Sequence, residues 1–197
     1  MLMNMKTFNK EFIMIKKVKT ISLAVILSSL LYADNYSVGK KFVGLEVGGA
    51  EIQGGVYPDL NNIFVFDPLY TSTDVTYGLR FGAQNDKYRT MLLFDYYDNV
   101  DDDQNLQLGL VTVDYYVLSQ DAAAVTIKPF VGINLGYLRY QSTLVDETTF
   151  AYGGQAGIVA SISENIDIDL AYRYTLGQNA PTMDHFGAAM LGLNYIY

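Results

Sequence analysis

The sequence predicts an all-β fold: an eight-stranded antiparallel up-and-down transmembrane β-barrel. Three observations carry the prediction. Eight segments alternate between two kinds of side chain with period two, which sends successive residues to opposite faces of a strand. Most of them run about 9–13 residues, the length a tilted strand needs to cross a bilayer. The last eight residues, Met190-Leu191-Gly192-Leu193-Asn194-Tyr195-Ile196-Tyr197, keep alternating to the final aromatic. Terminal residues of soluble domains usually fray and open apolar edges invite aggregation, so such an ending fits a strand that closes a barrel in lipid.

The segments justify themselves in order. The first, Phe42 to Ala50, sets Val43, Leu45 and Val47 against Gly44, Glu46 and Gly48. In the second, Val75 to Gln84, Val75, Tyr77, Leu79, Phe81 and Ala83 alternate with Thr76, Gly78, Arg80, Gly82 and Gln84. The third, Tyr88 to Tyr97, opposes Leu92, Phe94 and Tyr96 to Arg89, Leu93 and Asp95. The fourth, Leu106 to Leu118, starts with Leu106, Leu108 and Leu110 on one face and continues with Val111, Val113, Tyr115 and Val117 on the other. A bulge near Gly109–Leu110 is expected to reconcile the two phases, with Asp114 facing inward.

The fifth, Thr126 to Leu138, turns Ile127, Val131, Ile133, Leu135 and Tyr137 outward and Lys128, Phe130, Gly132, Asn134 and Gly136 inward. The sixth, Phe150 to Ile162, opposes Tyr152, Ala156 and Ile158 to Gly153, Gln155 and Gly157. In the seventh, Ile166 to Leu176, Ile168, Leu170, Tyr172 and Tyr174 oppose Asp167, Asp169, Ala171 and Arg173. The eighth runs from Phe186 to Tyr197 and is expected to pair with the first near Val43–Val47. Connections 51–74, 98–105, 139–149 and 177–185 fall at one end, and the mostly tighter 85–87, 119–125 and 163–165 at the other.

Alternation alone also fits a soluble barrel around an apolar ligand, and the second face decides between them. With the apolar set inside, Arg80, Asp95, Lys128, Asp167, Asp169 and Arg173 would sit in water beside many strand glycines, which weaken a strand and gain nothing there. Inside a narrow barrel, glycine leaves room for long charged neighbours. Seventeen Tyr, 17 Gly and 10 Phe fit an exterior with aromatic girdles. Lipid therefore faces the apolar set, and the soluble ligand-binding barrel is the second alternative.

The first 33 residues read as an address label. Lys16, Lys17 and Lys19 precede an apolar stretch from Ile21 to Leu31, and Leu31-Tyr32-Ala33 forms a cleavage site before Asp34. Residues 1–33 are expected to be a signal peptide, with Met14 as a candidate true start, and residues 34–197 the barrel domain. That leader holds five of the 13 basic and one of the 21 acidic residues, so residues 34–197 carry 8 basic and 20 acidic ones, a net charge of −12. Such a chain repels phosphate backbones, which argues against nucleic acid as a partner. Without a single Cys, disulfides, thiolate metal sites and a cysteine-linked lipid anchor are excluded.

Gly192, Tyr195 and Tyr197 resemble the C-terminal signature of bacterial outer-membrane barrels, which the barrel assembly machinery reads; Met190 stands where that signature has a polar residue. From Phe42 to Tyr197 the chain is similar to the small eight-stranded outer-membrane barrel superfamily, which includes the OmpA membrane domain, OmpX and the opacity-type surface proteins. The resemblance implies residence in the bacterial outer membrane, a periplasmic N-terminus and contact with outer-membrane lipid and lipopolysaccharide.

Candidate chemistry concentrates in the lumen. Glu46, Arg80, Arg89, Asp95, Asp114, Lys128, Asp167, Asp169 and Arg173 are predicted to face inward. Buried charges are costly unless paired, so they should form a network, either a structural plug or the lining of a narrow gated pore. The acidic run Asp98-Asn99-Val100-Asp101-Asp102-Asp103 lacks the glycine and closing glutamate of a calcium-binding loop and reads as a solvated face, so no metal site is expected. Connection 51–74 carries Val56, Tyr57, Ile63, Phe64, Val65, Phe66, Leu69 and Tyr70, which suggests a partner or packing over the barrel mouth.

His185 is the only histidine. Lipid A deacylases on this scaffold use a His-x-Ser element, and here Gly187 occupies the serine position. Omptin-like proteases need a longer, ten-stranded barrel. No catalytic residue, cofactor site or enzymatic role is expected. The expected function is structural and surface-interactive, with outer loops meeting lipopolysaccharide, an extracellular ligand or a host surface. The alternative is a narrow pore for ions or small polar solutes.

Overall fold

The computed structural model describes residues 39–54, 70–100, 104–122, 125–142, 145–178 and 183–197. The expectations for the leader, the apolar centre of connection 51–74 and Asp101 to Asp103 fall outside these residues. Nine strands run through them: β1 Lys40–Gly54, β2 Tyr70–Gln84, β3 Tyr88–Asn99, β4 Gln104–Tyr116, β5 Gln120–Ala122, β6 Val125–Ser142, β7 Val145–Ser163, β8 Ile166–Gly177 and β9 Met183–Ile196. Sequence neighbours pair antiparallel, β4 pairs with β6 past the three-residue β5, and β9 returns to β1. The eight long strands thus form a closed barrel in which each has two partners, which removes the sheet edges.

The closing seam sets Val43 opposite Tyr195, Leu45 opposite Leu193 and Val47 opposite Leu191. Its end is pinned by two backbone hydrogen bonds, Lys41 N–H to Tyr197 O at 3.2 Å and Tyr197 N–H to Lys41 O at 2.9 Å. At this turn end, the Asn85 side-chain oxygen accepts from the N–H groups of Lys87 and Tyr88, each at 2.8 Å, and so tightens the β2–β3 hairpin. Asn165, between β7 and β8, donates to the Ile196 carbonyl at 2.8 Å and ties that turn to the final strand.

At the other, loop end the strands run further than the alternation predicts. β6 and β7 span 18 and 19 residues, so most of 139–149, expected as a connection, is strand. The sequence signal that mimics a loop is a change of exterior. Outward residues turn from apolar to polar at Asp98, Gln107, Arg139 and Asp146, all exposed, while Leu138 and Tyr140 still point inward. That change marks the membrane boundary and not the end of the strand. Exposed Tyr77, Tyr96, Tyr137, Tyr152 and Tyr174 stand just below it, and Tyr88, Tyr115 and Tyr195 mark the turn end. From Tyr88 to Tyr96, β3 covers about 26 Å of strand, or about 20 Å across the bilayer at a tilt of about 40°. This comes close to the apolar band such barrels present to lipid.

β4 corrects one expectation. It stays in register with β3 and β6 throughout, without a bulge. Leu106, Leu108 and Leu110 lie inside, in phase with Thr112, Asp114 and Tyr116. The physical reason is that the loop half of the lumen is apolar, so the leucines are its core and not a lipid face.

Candidate functional site

Inside the barrel lie a charged layer and, toward the loop end, an apolar one. The charged layer is built from strands on opposite sides of the barrel. Arg80 of β2 meets Glu46 of β1 at 2.9 Å and reaches across to both carboxylate oxygens of Asp169 on β8, at 3.0 and 2.9 Å. Arg89 of β3 pairs with Asp114 of β4 at 2.8 Å and with Asp169 at 3.1 Å. Arg173 of β8 pairs with Asp95 of β3 and with Glu46 at 3.0 Å. All three guanidinium side chains are at most 2% exposed. Period two delivers them there: Arg80 sits between the outward Leu79 and Phe81, and Arg173 between the outward Tyr172 and Tyr174.

Three arginines face five buried carboxylates, Glu46, Asp95, Asp114, Asp167 and Asp169. Amides supply donors for the excess. Gln155 donates to Asp114 at 2.7 Å, Asn194 to Asp169 at 2.8 Å and Gln84 to Asp167 at 2.7 Å, while the Tyr116 hydroxyl donates to Gln84 at 2.8 Å. Gln155 also accepts from Arg173 at 3.1 Å and so bridges two ion pairs. A carboxylate is acceptor-only and an amide NH₂ offers two donors, which is why Gln and Asn suit these places. Glycine makes the room. A methyl on Gly192 would overlap the Arg80 guanidinium, and one on Gly78 the Asp95 carboxylate.

Seven of the predicted lumen residues, Glu46, Arg80, Arg89, Asp95, Asp114, Asp169 and Arg173, are joined in this network, and Asp167 lies beside it with Gln84 and Tyr116. Lys128 departs from the expectation. It is half-buried near the turn end, with its Nζ 5.5 Å from the centre of the Tyr116 ring, and forms no ion pair among those the network comprises. Gln84, Gln155 and Asn194 were not singled out in the sequence, although each is a polar residue at an inward position of a clean alternation.

Above the charges lies the apolar layer, where Ile52, Leu106, Leu138, Phe186 and Met190 are at most 1% exposed. The rings of Tyr97 and Phe186 meet edge-on at 6.4 Å, and the Tyr97 hydroxyl shares a hydrogen bond of 2.8 Å with Ser72. Ions crossing the lumen would meet a paired charge network and then this layer.

The other singled-out residues lie on the wall. His185 stacks on Tyr174 with centroids 4.9 Å apart, and its Nε2 is 3.8 Å from Glu51. Gly192 faces the lumen, whereas Tyr195 and Tyr197 face outward, 56% and 67% exposed. Outside the bilayer, Arg139 holds the Asp146 carboxyl below the usual carboxylate range by hydrogen bonds at 3.0 and 2.8 Å.

This geometry defines a transmembrane β-barrel with a filled lumen and a lipid-facing exterior. No family model matches the chain, and no curated protein matches its sequence. Solved structures do. Neisserial surface protein A aligns over 80% of this chain and 97% of its own, with TM-score 0.56 and 15% identity. The N-terminal β-barrel domain of Pseudomonas aeruginosa OprF aligns over 81% of this chain and 100% of its own, with TM-score 0.53 and 16% identity. The chain therefore has the fold of the small eight-stranded outer-membrane barrels. Fold and lipid-facing exterior together describe a protein of the bacterial outer membrane.

Proposed function

We propose that this protein is a structural, surface-presenting barrel whose lumen serves as its core and whose loop end meets lipopolysaccharide, an extracellular ligand or a host surface. The observation that carries the reading is the span of Arg80 and Arg173, which link β1, β2, β3 and β8 across the barrel axis. Side chains so placed fill the path that a pore would need, and the apolar layer above them opposes the passage of ions.

The loop end supports the second half of the proposal. Residues 51–74, 98–105, 139–149 and 177–185 hold 11 acidic residues and one basic residue, Arg139. That charge repels bare phosphates and favours contact through divalent cations, hard ions that take carboxylate oxygens. The barrel assembly machinery is the proposed reader of Gly192, Tyr195 and Tyr197 during biogenesis. Proteoliposomes test the lumen: efflux of small polar solutes should match protein-free vesicles. Binding to lipopolysaccharide vesicles tests the loop end, with an association that Mg²⁺ supports and a chelator abolishes. Chelator-resistant binding would refute the divalent bridge.

A further inference from the structure

A groove of about 720 Å³ crosses the outer wall where β3, β2, β1, β9 and β8 lie side by side. The strand register shows how it is built. One rim is the row Tyr96, Tyr77, Val47 and Leu191; the other is Phe94, Leu79, Leu45, Leu193 and Ile168. Between them runs the row Gly78, Glu46 and Gly192, three inward positions that send nothing outward: Glu46 turns into the lumen, and a methyl on either glycine would point there too, against Asp95 or Arg80. The floor is bare backbone.

We propose that this groove is a binding site for one acyl chain of a membrane lipid, held more tightly than lipid elsewhere on the barrel. One rim starts at Tyr77 and Tyr96 of the loop-end tyrosine belt, the other lies on its turn side, and both are almost wholly apolar, so the groove is continuous with the lipid-facing surface. A convex barrel wall touches a hydrocarbon chain on one side, whereas a groove touches it on floor and both rims. Dispersion contacts are individually small and add up with their number. The volume lies in the range of sites that enclose most of a small ligand. The twelve lining residues suit one narrow chain, whereas a second copy would have to extend its contact well beyond them to reach about 800 Å² per partner.

The chain contains no Trp, which makes a single introduced one a clean reporter. Phe94→Trp places it on the groove rim. Ile133→Trp places it on β6, also outward and within the lipid-facing span, eight residues from the turn-end boundary of its strand where Phe94 is six from its own. Each variant is folded in nanodiscs of phosphatidylcholine with brominated chains, which quench Trp, and then exchanged into excess unbrominated lipid. Ile133→Trp should recover its fluorescence fully, whereas Phe94→Trp should keep at least twofold quenching after the same exchange. Equal recovery overturns the proposal. So does a cross-linked dimer through this face with Phe94→Trp unquenched from the start, which would make a second copy the occupant. Tyr77→Trp, on the opposite rim, repeats the measurement and must agree. The site rests on the lipid-facing exterior alone, so its failure leaves the lumen reading untouched, and solute efflux tests that reading separately.

Discussion

Replacing Arg80 with methionine removes the cation that joins β1 and β2 to β8 while keeping a side chain of similar reach. Arg80 is 1% exposed and contacts two carboxylates, Glu46 at 2.9 Å and Asp169 at 2.9 Å. Removing one partner of a buried ion pair costs about 3–5 kcal/mol, because the other charge stays buried without compensation. Here each carboxylate keeps a second cation, Arg173 for Glu46 and Arg89 for Asp169. The expected loss therefore lies at the lower end, about 3 kcal/mol. Urea unfolding in lipid vesicles measures it, with migration of unboiled samples on a gel reporting the folded fraction. Adding Asp169→Asn removes one of the two carboxylates left with a single cation, so the double variant should lose at least about 1 kcal/mol less than the sum of the single losses. A single variant within about 0.5 kcal/mol of the parent, the usual range for surface changes, would refute the reasoning.

Gly192→Ala forces a methyl into the Arg80 guanidinium and should cost about 1–3 kcal/mol in the same vesicle assay, which contains no assembly machinery. Unchanged stability there would leave Gly192 with only a signalling role. Lys128→Ala lies outside the ion network and should shift stability by less than about 0.5 kcal/mol; a loss above about 2 kcal/mol would place Lys128 within the core. At the tip of β6 and β7, the lowered Asp146 pKa makes the Arg139 contact stabilising above the ordinary carboxylate range and weaker as pH falls through the folded value. Chemical shifts of Gln141 and Asp146 should follow one acidic titration, which Arg139→Gln moves upward; a titration unaffected by that substitution would remove Arg139 as the cause.

The sequence revealed orientation better than extent. Period two identified the outward set from Val43 to Tyr195 and the inward charges, because each strand has one face in lipid and one in a narrow lumen. Partners across the axis, such as Arg173 with Asp95, depend on strand stagger, which alternation leaves open. The fourth segment misled for a physical reason. Treating the lumen as polar along its whole length turned Leu106, Leu108 and Leu110 outward and required a bulge. The unbroken alternation from Leu106 through Thr112 and Asp114 to Tyr116 already carried the right answer. Lys128 faced inward as read, but depth along the axis separates it from the carboxylates, and depth is invisible to a two-residue period. The change to polar exteriors at Arg139 looked like a strand end because membrane exit and loop onset carry the same local composition.

Recording from planar bilayers tests the central claim, a lumen sealed by its own charges and apolar side chains. The filled lumen predicts a flat baseline at high protein load, with the protein shown to be folded by its migration without boiling. It also predicts that Arg80→Met and Arg173→Met, which open the charged layer, stay silent or conduct only in brief events, because the layer of Ile52, Leu106 and Phe186 still stands above it. Stable, stepwise conductance from the unsubstituted protein would contradict the account.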